Sequence, residues 1–444
     1  MNTSRHLLSC FLLAVGIFAV NISSTSAVLA VTDADGSEQE VRVQQVCYLP
    51  NVCLAEIEPF IKNDRNIRLG GTGSGLWHGL HDRPNHLWML SDRGPNGKLR
   101  IAGQKRRTFP VPDFSPVILH VELAGKEIKI LETIPIVDPA GKPVGGLTNR
   151  ESSSDVPYDY QGRRRLACDS SGMDPEGLVR TPEGIFWLAE EYSPSLVQCD
   201  PEGKVIKRYV PVGLRLEGVR YPVVACLPRI LGRRKDNRGF EGLTMAPDGK
   251  TLYAVMQSPL AHPKKRITKT SCNVRLLAFD PVKEKPVAEF VYQLEPHRTF
   301  GPNTEDQSDV KLSGLAMVDK STMLVLERTD ELARLYKVDL STATNLLGTK
   351  WDEASTKPGL EELGNPKAAG ITPLQKTLVA DLSRLPKIPQ KIEGVTLIDD
   401  RTVAVANDND FDLGRFDSAG NHHGNGKKTA VVVIRWSSNL TKSK

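Results

Sequence analysis

Short runs of apolar residues recur along the chain, and glycine, proline and aspartate separate them. This pattern is typical of short β-strands joined by tight turns. Several runs share one motif, in which a small residue or glutamate precedes glycine and then leucine or valine. The copies are Ser74-Gly75-Leu76, Glu176-Gly177-Leu178, Glu241-Gly242-Leu243, Ser313-Gly314-Leu315 and Glu393-Gly394-Val395. Five copies of one pattern indicate an internal repeat.

Each motif leads to a second apolar strand that ends in a polar residue. These second strands are expected at 87–92, 186–191, 252–257, 323–327 and 403–407. Further strands follow at 196–200 with 204–210, at 276–280 with 287–292, and at 335–339. Each unit therefore predicts a four-stranded antiparallel blade, and the chain is predicted to be an all-β protein with the β-propeller fold.

The spacing of the motifs leaves the number of blades open. Gly75 and Gly177 are 102 residues apart, which is long for one blade, so a sixth blade or a long excursion fits between them. We expect six blades, with five or seven as alternatives. Segments 41–48 and 431–436 are expected to close the ring from the two ends of the chain, and 353–363 to form one short helix.

The first thirty residues predict a signal peptide rather than part of the fold. Arg5 precedes an apolar run at 7–20, and small residues then offer cleavage after Ala27 or Ala30. The remainder, 31–444, is expected to form one domain in a secreted or periplasmic protein. No second apolar run of spanning length follows, so we expect no stable membrane insertion.

The cysteines and the charge agree with an exported protein. Besides Cys10 there are six cysteines, and nearness in sequence suggests the disulfides Cys47–Cys53, Cys168–Cys199 and Cys226–Cys272. The net charge of +5 is small and mixed in sign along the chain. A nucleic-acid partner is therefore not expected.

Equivalent positions of successive blades form rings around a propeller axis. Glu176, Glu241 and Glu393 are expected in one ring, with Ser74 and Ser313 in the other two copies. A second ring is expected to contain Asp92, Glu191, Gln257, Glu327 and Asn407. Facing carboxylates repel one another unless a cation neutralises them, and Ca²⁺ prefers such oxygen ligands. The alternative is that these side chains only cap strand ends.

Two further clusters carry possible chemistry. The segment 407–414 alternates oxygen-bearing side chains, so Asn407, Asp408, Asp410 and Asp412 are candidate Ca²⁺ ligands, although the spacing is not that of an EF-hand. Arg93 follows Asp92, and Arg328 follows Glu327, each as a potential clamp for an anion. Basic groups at 163–165, at 233–238 and at 264–266 are expected to form a positive rim.

These motifs resemble the phytase-like family, described as "esterase-like activity of phytase". The resemblance covers about 70–436 and rests on Ser91-Asp92-Arg93-Gly94, Asp174-Pro175-Glu176-Gly177-Leu178, Gly239-Phe240-Glu241-Gly242-Leu243, Ile392-Glu393-Gly394-Val395 and Asn407-Asp408-Asn409-Asp410-Phe411. It implies a propeller whose repeated acidic residues serve an enzyme. Ser313 departs from the glutamate of the motif, so a complete carboxylate ring is not expected.

The leading hypothesis is a Ca²⁺-dependent phosphoester hydrolase that acts on a small anionic substrate such as a phosphorylated compound. Ca²⁺ would be held by Glu176, Glu241 and Glu393 and by the 407–412 ligands. Catalysis is assigned to Asp92, Arg93, Glu176, Glu191, Glu241, Glu327, Arg328 and Glu393, as acidic groups that hold ions or accept protons and as arginines that bind the phosphoryl group. A non-catalytic binding propeller with structural Ca²⁺ is the main alternative, and a lactonase-type esterase is a weaker one.

Overall fold

The computed structural model describes residues 28–32, 38–149 and 155–441. The predicted signal peptide lies almost entirely outside these residues, so that interpretation stays a prediction. Within the described residues, antiparallel sheets of four strands are arranged around a common axis. Five such blades are present, each beginning with one copy of the glycine motif. The β-propeller prediction is confirmed.

The strands of the first two blades come early in the chain. Two N-terminal strands precede them, β1 (Val28–Thr32) and β2 (Glu38–Tyr48). Blade 1 contains β3 (Gly75–Trp77), β4 (His86–Leu90), β7 (Val117–Ala124) and β8 (Glu127–Pro135), and a separate small sheet contains β5 (Gly97–Ile101), β6 (Gln104–Thr108) and β9 (Pro157–Tyr158). Blade 2 contains β10 (Pro175–Arg180), β11 (Phe186–Glu190), β12 (Ser195–Cys199) and β13 (Val205–Pro211), with β14 (Val223–Leu227) added in parallel.

The remaining blades follow the same order of antiparallel strands. Blade 3 contains β15 (Phe240–Met245), β16 (Leu252–Met256), β17 (Asn273–Asp280) and β18 (Lys285–Gln293). Blade 4 contains β19 (Lys311–Met317), β20 (Thr322–Arg328), β21 (Ala333–Asp339) and β22 (Gln375–Asp381). Blade 5 contains β23 (Ile392–Asp399), β24 (Thr402–Asn407) and β27 (Ala430–Trp436), while β25 (Arg415–Phe416) and β26 (His422–His423) form a short hairpin.

Strand β2 completes blade 5 and closes the ring. It pairs antiparallel with β27, so that Val41 lies opposite Trp436 and Tyr48 lies opposite Ala430. The N-terminal strand is thus the outermost main strand of the last blade, with β1 along its edge. The predicted closure by segments 41–48 and 431–436 is confirmed. It covers the edge of β27, which would otherwise leave backbone groups unpaired, and a single bridge between Tyr48 and Glu127 joins blade 5 to blade 1.

The glycine of each motif permits the close approach of neighbouring blades. A Cβ atom built on Gly177 would lie 2.7 Å from the carbonyl oxygen of Glu241, and one on Gly314 would lie 2.7 Å from that of Glu393. The glycines of the other three blades also pack against the inner strand of the next blade, and Gly394 of blade 5 meets Gly73 of blade 1. The inner strands therefore form a closed ring.

Five blades replace the six that the spacing of the motifs favoured. The long interval after Gly75 contains the small sheet of β5, β6 and β9 and irregular chain, rather than a further four-stranded blade. Loop segments on a propeller tolerate long insertions because their ends stay close together. Motif spacing alone therefore overestimated the number of blades.

Helical structure is confined to short segments. The α-helix α1 spans Leu54–Ile57, and the 3-10 helices span Arg229–Arg233, Lys265–Lys269, His297–Phe300, Gln307–Asp309, Lys350–Asp352, Leu360–Glu362, Pro366–Ala369, Leu382–Arg384 and Asp410–Asp412. The single helix expected over 353–363 is wrong, because Pro358 and Gly359 interrupt that segment. Among the described residues, no helix is long and apolar enough to cross a membrane.

The predicted disulfides are not formed. Cys47, Cys53, Cys199, Cys226 and Cys272 are free thiols, so each of the three expected pairs lacks at least one partner. The Cys47 thiol donates a hydrogen bond to the carbonyl oxygen of Gly125 at 3.4 Å, and Cys53 Sγ accepts one from Arg68 Nη1 at 2.7 Å.

A buried ion cluster anchors the long connection between β21 and β22 of blade 4, residues 340–374, to blade 3. Arg275 Nη1 lies 2.6 Å from Glu289 Oε1, and Arg275 Nε lies 2.8 Å from Glu361 Oε1. Asp352 Oδ1 lies 3.7 Å from the same guanidinium. Burial raises the pKa of Glu289 to about 7, and the neighbouring Arg275 offsets only part of this shift.

Candidate functional site at the propeller mouth

A cavity of about 1120 Å³ opens at one end of the ring, and we call this cavity the mouth. The inner strands begin beside it and the second strands of the blades end beside it. Glu176, Glu241 and Glu393 of the motifs line its floor. Ser74 and Ser313 are buried beneath, where their hydroxyl groups lie 3.4 Å from Glu393 Oε2 and 3.3 Å from Glu241 Oε1. The first predicted ring is therefore formed.

The second ring differs from the prediction at two of its five positions. In blades 1 to 3, the strand register places Asp92, Glu191 and Gln257 at equivalent positions, as predicted. In blades 4 and 5, the same position is held by Arg328 and Asp408. These side chains all line the mouth. Glu327 and Asn407 precede the equivalent position by one residue. A shift of one residue along a strand turns the side chain to the opposite face.

Glu327 accordingly points away from the mouth and lies between blades 3 and 4. Its Oε2 accepts hydrogen bonds from the Tyr292 hydroxyl at 2.8 Å and from Lys376 Nζ at 2.9 Å. Asn407 lies at the edge of the mouth, but its side chain is held by backbone groups. Its Oδ1 accepts a hydrogen bond from the Ala430 amide at 2.8 Å, and its Nδ2 donates one to Lys428 at 3.2 Å.

A group of three carboxylates lies in the floor. One oxygen each from Asp92, Asp174 and Glu176 lies within 4.8 Å of the others, and all three residues are buried. Burial, followed by the charges of neighbouring carboxylates, raises the pKa of Asp92 and of Glu176 well above the usual range. Concentrating negative charge in this way is costly unless a cation is present.

Asp174 is a site residue that the sequence analysis did not assign. It lies two residues before Glu176, and the register makes its position equivalent to those of Gly239, Lys311 and Lys391 in the other blades. Because these residues differ in type, the repeat gives no signal at this position. The conspicuous Asp174-Pro175-Glu176 sequence was the one available indication.

The structure places Arg93 beside these carboxylates. Its backbone amide donates to Asp174 Oδ1 at 3.1 Å, and its Nη1 lies 3.3 Å from Asp174 Oδ2 and 3.4 Å from Asp155 Oδ2. The guanidinium also faces the Tyr192 ring. Arg93 therefore supplies positive charge at the edge of the three-carboxylate group.

Arg328 supplies the second buried positive charge. Its guanidinium forms an ion pair with Glu393 and lies 3.7 Å from Glu241 Oε1, while its Nε donates to the Ser313 hydroxyl at 2.9 Å. Burial, with Glu393 next, raises the pKa of Glu241 to about 7. Arg328 offsets part of this shift. Glu241 therefore titrates close to neutral pH.

A lysine from outside the predicted Ca²⁺ loop forms ion pairs with carboxylates of the loop. Lys391 Nζ forms ion pairs with Asp408 and Asp410, so the structure brings these two carboxylates together. Asp412 lies apart from the mouth, and its carboxylate accepts hydrogen bonds from the backbone amides of Asn425, Gly426 and Lys427. Lys391 and residues 410–412 have φ values of 50 to 55°, a strained region for residues other than glycine.

Basic side chains surround the acidic floor. Lys235, Arg238 and Lys265 line the mouth as part of the predicted positive rim, whereas the basic residues at 163–165 do not line it. The mouth is also lined by four residues of the β5–β6 hairpin that were not predicted from the sequence, namely Lys98, Lys105, Arg106 and Arg107. Burial, followed by repulsion from Arg238, lowers the pKa of Lys235 to about 8.

Several buried polar atoms of the floor have no hydrogen-bond partner among the described residues. They include Glu191 Oε1 and Glu241 Oε2, while Asp174 Oδ2 has only the ion-pair contact with Arg93 Nη1 at 3.3 Å. Carboxylate oxygens left without donors are the ligands that a hard divalent cation such as Ca²⁺ takes. The three-carboxylate group therefore fits such an ion, with Arg93 as a competing positive charge.

Comparisons with known proteins agree with this architecture. A family model described as "Phytase-like: Esterase-like activity of phytase" matches residues 67–411. An uncharacterized secreted protein of Arthroderma benhamiae is 26% identical over 312 residues, which span 60% of this chain and 60% of the relative. The chain matches less than two thirds of that relative's length, so the relative assigns no activity to this chain.

Solved structures with similar folds are distant. The luciferin-regenerating enzyme is 12% identical, with a TM-score of 0.34 over 84% of this chain and 94% of its own. The PQQ-bound aldose sugar dehydrogenase of Streptomyces coelicolor is 10% identical, with a TM-score of 0.35 over 92% of this chain and 100% of its own. At this level of similarity, neither protein informs the chemistry of the mouth.

Proposed function

The chain belongs to the phytase-like family, and we propose that its mouth hydrolyses phosphoesters with the help of a bound divalent cation, most suitably Ca²⁺. The observation that carries this proposal is the group formed by Asp92, Asp174 and Glu176, buried beneath a rim of lysine and arginine. An acidic floor suits a cation, and a basic rim suits an anionic substrate.

The cation would be held by the floor carboxylates. Asp92, Asp174 and Glu176 present oxygens close enough together to share one ion. Glu191 lies beside them and has an unpartnered Oε1. When bound, the ion would polarise a phosphoryl oxygen and lower the pKa of a water molecule.

The chain's own residues would bind the substrate and move the proton. Glu241 Oε2 lines the mouth without a hydrogen-bond partner, and a pKa of about 7 suits it to accept a proton from water at neutral pH. Rim side chains such as Arg238 and Lys311 would bind the phosphoryl oxygens. Water and phosphoester would then yield phosphate and alcohol, with the water oxygen bonded to phosphorus.

We propose that this chemistry takes place outside the cytoplasm. The apolar segment at 7–20 supports this proposal. The description of the Arthroderma benhamiae relative as secreted also supports it.

A non-catalytic, anion-binding propeller is the second candidate. One specific observation favours it, namely that Arg328 and Lys391 already form ion pairs with Glu393, Asp408 and Asp410. With these internal cations, part of the acidic mouth is neutralised without any ion. In that case a metal would have only a structural role, and the basic rim would bind a ligand without turnover.

The test compares Asp174→Asn with the surface control Asp248→Asn. Ca²⁺ binding is measured by titration calorimetry, and turnover is measured on phosphomonoesters, phosphodiesters and lactones. We expect Asp174→Asn to weaken Ca²⁺ binding and to lower phosphoester turnover by about 100-fold, while Asp248→Asn matches the wild type. Ca²⁺ binding without turnover of any substrate would support the binding propeller. Turnover of lactones alone would overturn the phosphoester assignment.

A further inference from the structure

The β5–β6 hairpin beside the mouth carries an unusual arrangement of charge. Lys98 lies directly opposite Arg107, and Arg100 lies directly opposite Lys105. Side chains two residues apart on a strand, and those directly opposite on the next strand, share one face of the ribbon. These four cations therefore occupy the same face, which we call the cationic face.

This arrangement is unfavourable for the hairpin by itself. Like charges directly opposite one another destabilise an antiparallel pair. Repulsion from Arg107 is the first cause that lowers the pKa of Lys98, with burial second. Among the described residues, Asp155 is the one carboxylate in an ion pair with this face, and it is shared with Arg93. Four cations that repel one another and share a single paired carboxylate among the described residues indicate a binding role.

The cationic face continues the mouth toward solvent. Lys98, Lys105 and Arg107 line the mouth, whereas Arg100 lies beyond that lining and is exposed. Arg100 Nη1 donates to the carbonyl oxygen of Gly103 at 2.9 Å, which leaves its other nitrogens free to bind a ligand. A ligand whose end enters the mouth would therefore pass along these charges as it leaves.

We propose that the cationic face binds an extended polyanion bearing phosphate groups, one end of which enters the mouth. The two opposed pairs lie about 7 Å apart along the strands, and the two residues of each pair lie about 5 Å apart across the ribbon. One small anion cannot neutralise both pairs, but successive anionic groups of a chain can. This inference extends the proposed function by naming a substrate class, and it rests on that function for the choice of phosphate over other anions.

The experiment compares two charge-matched variants. Lys98→Gln/Arg100→Gln/Lys105→Gln removes three charges from the cationic face and spares Arg107, which donates to Asn96 Oδ1 at 2.7 Å. Lys320→Gln/Lys357→Gln/Lys367→Gln removes three exposed charges that do not line the mouth. Binding of fluorescently labelled linear inorganic polyphosphate is measured by anisotropy at two salt concentrations, in the presence of a chelator.

We expect the hairpin variant to bind polyphosphate about tenfold more weakly, with a smaller salt dependence than the wild type. The control is expected to bind within twofold of the wild type. Equal losses in both variants would mean attraction to net charge and would overturn the proposal. Tighter binding of heparin, whose anionic groups are sulfates and carboxylates, than of polyphosphate would overturn the phosphate assignment.

The chelator removes the divalent ions that the proposed hydrolysis requires, so polyphosphate binding is measured without turnover. Wild-type protein that binds polyphosphate through the hairpin but hydrolyses no phosphoester would contradict the proposed hydrolysis alone. Wild-type protein that hydrolyses phosphoesters, with no loss of polyphosphate binding in the hairpin variant, would contradict the hairpin alone.

Discussion

Arg328, at the end of the second strand of blade 4, forms an ion pair with Glu393 of the inner strand of blade 5. Both side chains are buried in the mouth, and the guanidinium also lies 3.7 Å from Glu241 Oε1 of blade 3. One side chain thus links three consecutive blades. It joins the stability of the ring to the charge of the candidate site.

Replacing Arg328 with methionine is expected to destabilise the protein. Buried Glu393 would lose its arginine partner and retain only the more distant Lys391, whose Nζ lies 3.9 Å from Glu393 Oε1. Removing one partner of a buried ion pair costs about 3 kcal/mol or more. Urea unfolding measures this loss. Arg435→Met is the control, since its pair with Asp399 is partly exposed to solvent and is worth about 1 kcal/mol or less. Adding Glu393→Gln should restore part of the lost stability, and equal losses in the single and double variants would contradict the account.

Replacing Gly314 with alanine is expected to disturb the ring. The new methyl group would lie 2.7 Å from the carbonyl oxygen of Glu393 in the next blade, so the inner strands would have to move apart. We expect a loss of about 1–3 kcal/mol in the free energy of unfolding. Gly364→Ala adds a methyl group in open space and is expected to change it by less than about 0.5 kcal/mol. The same small effect at Gly314 would show that close blade packing does not explain the motif.

The glycines show how much of this fold is predictable from sequence. Every blade needs a glycine, such as Gly177 or Gly394, where its inner strand approaches the next blade. Because all blades share this steric requirement, the motif repeats in the sequence and predicted the propeller. The blade number was harder, since the interval after Gly75 contains a small sheet whose strands carry no motif. Ring closure could be predicted from the sequence because β2 and β27 are both strands with apolar residues near the ends of the chain.

The candidate site was only partly predictable, because a side chain's direction depends on register. Glu327 and Arg328 are neighbours in sequence, yet one faces Lys376 between blades and the other faces the mouth. The apolar run alone does not show where the strand bulge falls, so the ring was assigned one residue early. Lys391 was missed for a related reason, since its ion pairs with Asp408 and Asp410 depend on the fold.

The buried cluster around Arg275 predicts a pH effect on stability. The pKa of Glu289 is raised to about 7 in the folded protein, above its ordinary value of 4.5, so the folded state binds the proton more tightly. Its contribution to stability is greatest below pH 4.5 and is lost as the pH rises toward 7, by an amount on the order of 3 kcal/mol.

Glu289→Gln removes this titration, and its effect is read from the pH dependence rather than from stability at one pH. Urea unfolding from pH 4.5 to 8 should show wild-type stability falling relative to the variant across this range. The surface variant Glu202→Gln is the control and should follow the wild type. Parallel profiles for wild type and Glu289→Gln would contradict the raised pKa.

The central claim is that a divalent cation in the carboxylate floor of the mouth supports phosphoester hydrolysis. Its most direct test is the turnover of a phosphomonoester and a phosphodiester by the wild-type protein, first with a chelator and then as free Ca²⁺ is restored. We predict that turnover is lost with the chelator and returns in a saturable manner as Ca²⁺ is added. Turnover that is unaffected by the chelator, or its absence at every Ca²⁺ concentration, would contradict the claim.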